Sequence, residues 1–159
     1  MLPVDRATVE RLSLGGDETT ILATCAQTSG ALFAVEIRML PGGGPPVLHR
    51  HAPGEVYHVT EGEFTFYIAE PDTPVRRVTA RAGDVVPLAG DVPHTVRNES
   101  DADAVAFVVH APGAPMEGFI RAVAAAGSPS MEVVLALAEQ HGIEMLGPVP
   151  SVGTGGGSH

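Results

Sequence analysis

The segment Pro41-Gly42-Gly43-Gly44-Pro45-Pro46 constrains this chain more than any other stretch. Proline fixes φ and lacks an N–H, so such a run can continue neither a helix nor a central strand. The chain must turn there. Similar breaks recur at Thr28-Ser29-Gly30, Glu61-Gly62, Pro71-Asp72, Ala82-Gly83 and Ala89-Gly90-Asp91. With 19 glycines and 14 prolines in 159 residues, the chain favours short strands joined by tight turns over long helices.

Between the breaks lie apolar stretches of strand length. In Ala31–Leu40, Phe33, Val35, Ile37 and Met39 alternate with Ala34, Glu36 and Arg38, the period of a half-buried strand. Further strands are expected at Thr19–Ala26, Glu55–Thr60, Glu63–Ala69, Val75–Ala80, Asp84–Pro87, His94–Asn98 and Ala104–His110. Many short strands at regular spacing predict an all-β sandwich or closed barrel.

The pattern changes after Pro112. Met116–Ala126 has helical composition and Gly127 can stop it. Ser128-Pro129 suggests an N-cap followed by proline in the first turn, and Met131–His141 carries a helical apolar stripe ended by Gly142. The two helices are expected on the outside of the barrel. The expected divisions are an N-terminal strand segment over 1–30, a barrel over 31–112, a helical extension over 113–147 and a disordered Gly/Ser-rich tail over 148–159.

Charge narrows the partners. The formal net charge is −10, and nine Lys plus Arg scattered along the chain make no basic face for nucleic acid or an anionic membrane. No stretch approaches the roughly 18 apolar residues of a membrane span. The opening MLPVDRATVERL lacks the apolar core of a secretory signal, so a cytoplasmic location is expected. Cys25 has no partner for a disulfide and is expected to be a buried thiol.

The chemistry gathers around His49-Arg50-His51. In extended chain, residues i and i+2 share a face, so both imidazoles project together. Ala52-Pro53-Gly54 then bends the backbone and lets Glu55 return to the same cavity. Two imidazoles and a carboxylate can occupy one face of a metal and leave other positions open. His94, behind the turn Ala89–Pro93, can close the site from a facing wall.

These residues resemble a known family. Gly43, His49, His51, Glu55 and Gly62 stand at the spacing of the first motif of the cupins, and Gly83, His94 and Asn98 at that of the second. The second motif departs from the pattern in one respect: its proline and glycine are displaced, giving Pro87-Leu88-Ala89-Gly90-Asp91. The segment His141–Pro148 is similar to the C-terminal extension of bacterial cupins called quercetin-dioxygenase-like. The resemblance implies a jelly-roll barrel of six to eight strands in two sheets, the cupin double-stranded β-helix. It also implies one divalent metal ion held by His49, His51, Glu55 and His94, and a homodimer in which Thr19–Ala26 is an interface or swapped element. Iron or manganese is favoured, with nickel, copper, cobalt or zinc as alternatives. The absence of thiolate ligands argues against a closed structural zinc site.

Strand parity puts Tyr57 and Val59 on the face of Glu55, with Val56 and His58 outward. Tyr57 either lines the cavity, as a candidate catalytic residue beside Glu55, or packs in the barrel. His110 is expected as an exposed strand-end histidine, with a base near the cavity mouth as the alternative. Asn98 is expected to fix a turn. No Arg or Lys cluster accompanies the motifs, so a small neutral or aromatic substrate fits better than a phosphorylated one. The resemblance points to an oxygenase acting with O2 on a phenolic or enolisable substrate, with Glu55 as a shifting ligand or a base. The alternatives are a metal-dependent polyketide cyclase, isomerase or decarboxylase, and a non-catalytic small-molecule-binding protein.

Overall fold

The computed structural model describes residues 2–149. Eleven strands and two helices follow in the order β1 (Arg11–Leu14), β2 (Asp17–Ala23), β3 (Phe33–Met39), β4 (Val47–Arg50), β5 (Gly54–Glu61), β6 (Glu63–Ile68), β7 (Arg76–Arg81), β8 (Val85–Leu88), β9 (His94–Arg97), β10 (Ala104–Ala111), α1 (Ala114–Ala125), α2 (Met131–Gln140) and β11 (Glu144–Pro148). One sheet has the order β1-β2-β3-β10-β5-β8 and the other β11-β4-β9-β6-β7. All pairings are antiparallel. This is the two-sheet jelly roll that the resemblance to cupins implies, with eleven strands where six to eight were expected.

Alternation builds the core. Phe33 and Val35 on β3, Tyr57 and Val59 on β5, and Phe64 and Phe66 on β6 are buried between the sheets. Val56 and His58 point outward and are exposed, as parity requires. Each fully buried aromatic or branched side chain contributes about 1.5–3 kcal/mol over leaving it in water. Asn98 is buried and does fix a turn. Its Nδ2 donates to the carbonyls of Met39 (2.9 Å) and Ala102 (2.8 Å), and its Oδ1 accepts from Ser100 N–H (3.0 Å).

Several expectations shift. β1 and β11 lie in segments that carry no strand pattern, and both are sheet-edge strands. β2 pairs with β1 on one side and β3 on the other, so both edges of the segment expected at an interface are used within the chain. The cap of α2 is Ser130, which accepts from Val133 N–H, and not Ser128. Cys25 is half-buried, and its backbone N–H donates to Glu117 of α1 at 2.7 Å. At the expected tail boundary, Pro148 still belongs to β11, and Val149 N–H donates to the Pro46 carbonyl at 3.0 Å. The rest of that tail lies outside the described residues.

The helices do more than cover the outside. Residues of α1 and α2 close over one end of a cavity that reaches between the two sheets.

Candidate metal centre

Register brings the histidines together. In the second sheet His49 of β4 is the direct cross-strand partner of His94 of β9, with ring centroids 4.6 Å apart. His51 follows at the end of β4. Across the interior, β5 of the first sheet supplies Glu55. One donor atom from each of His49, His51, Glu55 and His94 lies within 4.8 Å of every other, so these four could hold one metal ion. His51, Glu55 and His94 are buried and His49 is half-buried.

Backbone carbonyls orient the rings. His51 Nδ1 lies 2.9 Å from the Pro53 carbonyl and His94 Nδ1 2.8 Å from that of Val92. A carbonyl only accepts, so each Nδ1 carries a proton, and each Nε2 is turned inward, as metal-binding imidazoles generally are. Those Nε2 atoms lie 2.5 Å and 3.2 Å from Glu55 Oε1. At such distances a proton or a cation must lie between each Nε2 and the carboxylate. Among the described residues, four buried side-chain polar atoms also lack any hydrogen-bond partner: His49 Nδ1, His51 Nε2, Glu55 Oε2 and His110 Nδ1. Buried polar atoms are rarely left unpaired, and a cluster of them fits a divalent ion. Three imidazoles and a carboxylate suit first-row transition metals.

The loop before His94 explains the displaced second-motif glycine. A Cβ on Gly90 would collide with the Ala52 carbonyl oxygen. Asp91 N–H donates to the His51 carbonyl at 2.8 Å. Glycine at 90 lets the loop before His94 lie directly on the segment carrying His51.

Electrostatics couple these side chains: burial lowers the pKa of His94, but its contact with Glu55 outweighs burial and raises it. Burial lowers the pKa of His49 to about 4, so its ring is neutral at ordinary pH. Burial pushes the Glu55 carboxyl up, but the imidazoles of His51 and His94 and the neighbouring His110 outweigh it and hold it well below the usual range. Tyr57 is pushed up, first by burial and then by the Glu55 carboxylate it faces, so its hydroxyl stays protonated.

His110 departs from the expected exposed position. It is buried, is the cross-strand partner of Glu55, and puts Nδ1 3.7 Å from Glu55 Oε1. Burial lowers its pKa. The signal was present in β10: Ala104, Ala106, Val108 and His110 share the inward parity.

His49, Glu55, Tyr57 and His110 line one side of a cavity of about 490 Å³. The lining also includes Met116, Phe119 and Val123 of α1, Val134 of α2, and Leu14 and Ile37 of the barrel strands.

Comparison with known proteins agrees with this architecture. Residues 35–110 match the family model described as Cupin domain. No curated protein matches the sequence significantly. Among solved structures, a sugar phosphate isomerase of the cupin superfamily from Silicibacter pomeroyi is 20% identical, with a TM-score of 0.55 over 69% of this chain and 75% of that one. A polyketide cyclase from Streptomyces resistomycificus is 19% identical, with a TM-score of 0.58 over 70% of this chain and 80% of that one. A predicted oxalate decarboxylase from Thermotoga maritima is 24% identical, with a TM-score of 0.55 over 69% of this chain and 98% of that one. At these identities the likeness is one of fold. The cupin-domain match over residues 35–110 and the jelly roll around it give this chain the cupin fold.

Proposed function

We propose that this cupin is a metal-dependent oxygenase. It holds one divalent ion, iron or manganese first, through His49, His51, Glu55 and His94. It acts with O2 on a small phenolic or enolisable substrate. The observation that carries the reading is the convergence of the four side chains beside a largely apolar cavity, which His49 and Glu55 line and which is large enough for a small molecule. When bound, the ion supplies Lewis-acid and one-electron chemistry.

The chain's own groups have separable tasks. The carbonyls of Pro53 and Val92 fix the rings of His51 and His94. Glu55 Oε2, free of protein hydrogen bonds, accepts the acidic proton of a phenol or enol. The Tyr57 hydroxyl stays protonated beside Glu55 and orients its carboxylate. The apolar roof excludes water.

A second reading is favoured by one observation. His110 sits across from Glu55 without a hydrogen-bond partner at Nδ1, which adds a second proton acceptor beside the cavity. Moving a proton between two sites is what a redox-neutral cyclase, isomerase or decarboxylase requires, with no need for O2.

Metal content is the first test, on protein purified without a His-tag or chelating column. About one equivalent of metal in the wild type, lost in His51→Ala, is expected for a site of this ligand number. No metal in the wild type after reconstitution would refute both readings. Turnover of a phenolic and enolisable panel then separates them. Stoichiometric O2 consumption supports the oxygenase, and turnover that persists without O2 supports the second reading. Metal without turnover of any panel member would leave a binding protein. The reading includes a homodimer, and a sedimentation run showing only a 16.4 kDa species would refute that part.

A further inference from the structure

Part of the cavity lining is not built by the barrel. Phe119 and Val123 come from α1 and Val134 from α2, all beyond the residues 35–110 that match the cupin domain. Taking the metal-enzyme reading as its basis, we infer that these helices select the ligand, and that the ligand is a neutral phenol or enol with an apolar, ring-sized body.

Charge supports the class. Among the described residues, the cavity lining contains no Arg or Lys, and its two carboxylates are Asp17 and Glu55. A phosphate or carboxylate on the body of the ligand would meet acids and methyl groups with no cation to pair it, and burying an unpaired charge is strongly unfavourable. One oxygen is provided for at the cluster of His49, Glu55, Tyr57 and His110, and the remainder of the ligand faces apolar side chains.

Size supports the same class. A cavity of about 490 Å³ falls in the range of sites for whole small molecules. A two-carbon diacid would leave most of it empty against Phe119, Val123 and Val134. A fused-ring phenol is of a size that such a volume accommodates.

The test uses 1-naphthol, whose own fluorescence reports binding, and 5-hydroxynaphthalene-1-sulfonate, which keeps the rings and the phenol and puts an anion on the far ring. Metal content is measured on every sample. Naphthol is expected to bind the metal-loaded wild type at least roughly tenfold tighter than the sulfonate, a ratio ordinary for a pocket contact. Val134→Phe, which fills the roof, is expected to weaken naphthol at least tenfold while keeping the wild-type metal content. Leu135→Ala, on the exposed side of α2, serves as the control and is expected to leave binding unchanged. Phe119→Ala opens the roof and is expected to admit 4-phenylphenol more readily than the wild type does, so the inference survives if Val134→Phe fails to fold. Equal binding of naphthol and its sulfonate would overturn the ligand class. Unchanged naphthol binding in a folded Val134→Phe, or unchanged ring preference in Phe119→Ala, would overturn the role of the helices. A wild type without metal would sink the proposed enzyme instead, and the same titrations on metal-free protein would still judge the roof.

Discussion

Replacing Asn98 by alanine tests whether a buried amide holds the second-motif turn. The side chain is fully buried. Its Nδ2 donates to the carbonyls of Met39 and Ala102, while its Oδ1 accepts from Ser100 N–H and from Ser100 Oγ at 2.6 Å. Ser100 is half-exposed, so its groups regain water in the variant. The two carbonyls lose a donor in a space no larger than a methyl group opens. At about 1.5 kcal/mol for each, the variant should lose about 3 kcal/mol. For a domain of this size that corresponds to a fall in Tm of about 6–12 °C. Urea and thermal melts followed by far-UV circular dichroism measure both quantities. A loss below about 1 kcal/mol would refute the argument that this amide fixes the turn. Asn98→Asp sharpens the test, since it keeps the shape but points a carboxylate at two carbonyl oxygens. The folded pKa of that carboxyl is raised, so the variant should be most stable at low pH and lose stability as pH rises through that value.

Other outcomes follow from the same structure. Gly90→Ala places a methyl group against the Ala52 carbonyl, pushes the loop before His94 off the His51 segment, and should weaken metal binding roughly tenfold or more in a competition titration with a coloured chelator. Unchanged affinity would mean that this contact does not position the ligands. Glu99 accepts from the Tyr67 hydroxyl and is gripped by Arg77 at 2.6 Å and 3.2 Å. Burial raises its pKa, but these partners outweigh burial and lower it, so its stabilising contribution is present above the ordinary carboxylate range and is lost as pH falls through the depressed value. Glu99→Gln should flatten the acid limb of a Tm-against-pH curve by about 1 kcal/mol or less, and an unchanged limb would show that the grip contributes nothing.

The barrel was legible because burial imposes a period of two. Phe33, Val35 and Met39 on β3 and Tyr57 and Val59 on β5 fall where alternation puts them. The convergence of His49, His51 and Glu55 could be read from spacing, since all three lie within one bend of the chain. His110 was misread because β10 reverses the usual sizes: small Ala104 and Ala106 point inward and bulky Phe107 outward, which hides the parity of the strand. β1 and β11 were illegible for a different reason. An edge strand needs backbone partners on one side only and little apolar pattern, so Arg11–Leu14 and Glu144–Pro148 are specified by the neighbours they pair with. The roof over the cavity depends on where two helices dock, which their own sequences do not state.

The divided origin of the ligand set has a mechanical consequence. His49 and His94 belong to one sheet and Glu55 to the other. An ion gripped by all of them would act as a rivet through the sandwich, and the sheets could not part without breaking coordination. Any metal bound only by the folded chain adds its own binding energy to stability, about 2.7 kcal/mol at a hundred times Kd. Such a rivet would act mainly on the rate at which the sheets separate. Chelator-treated protein should then lose resistance to proteolysis and heat well before it loses its shape.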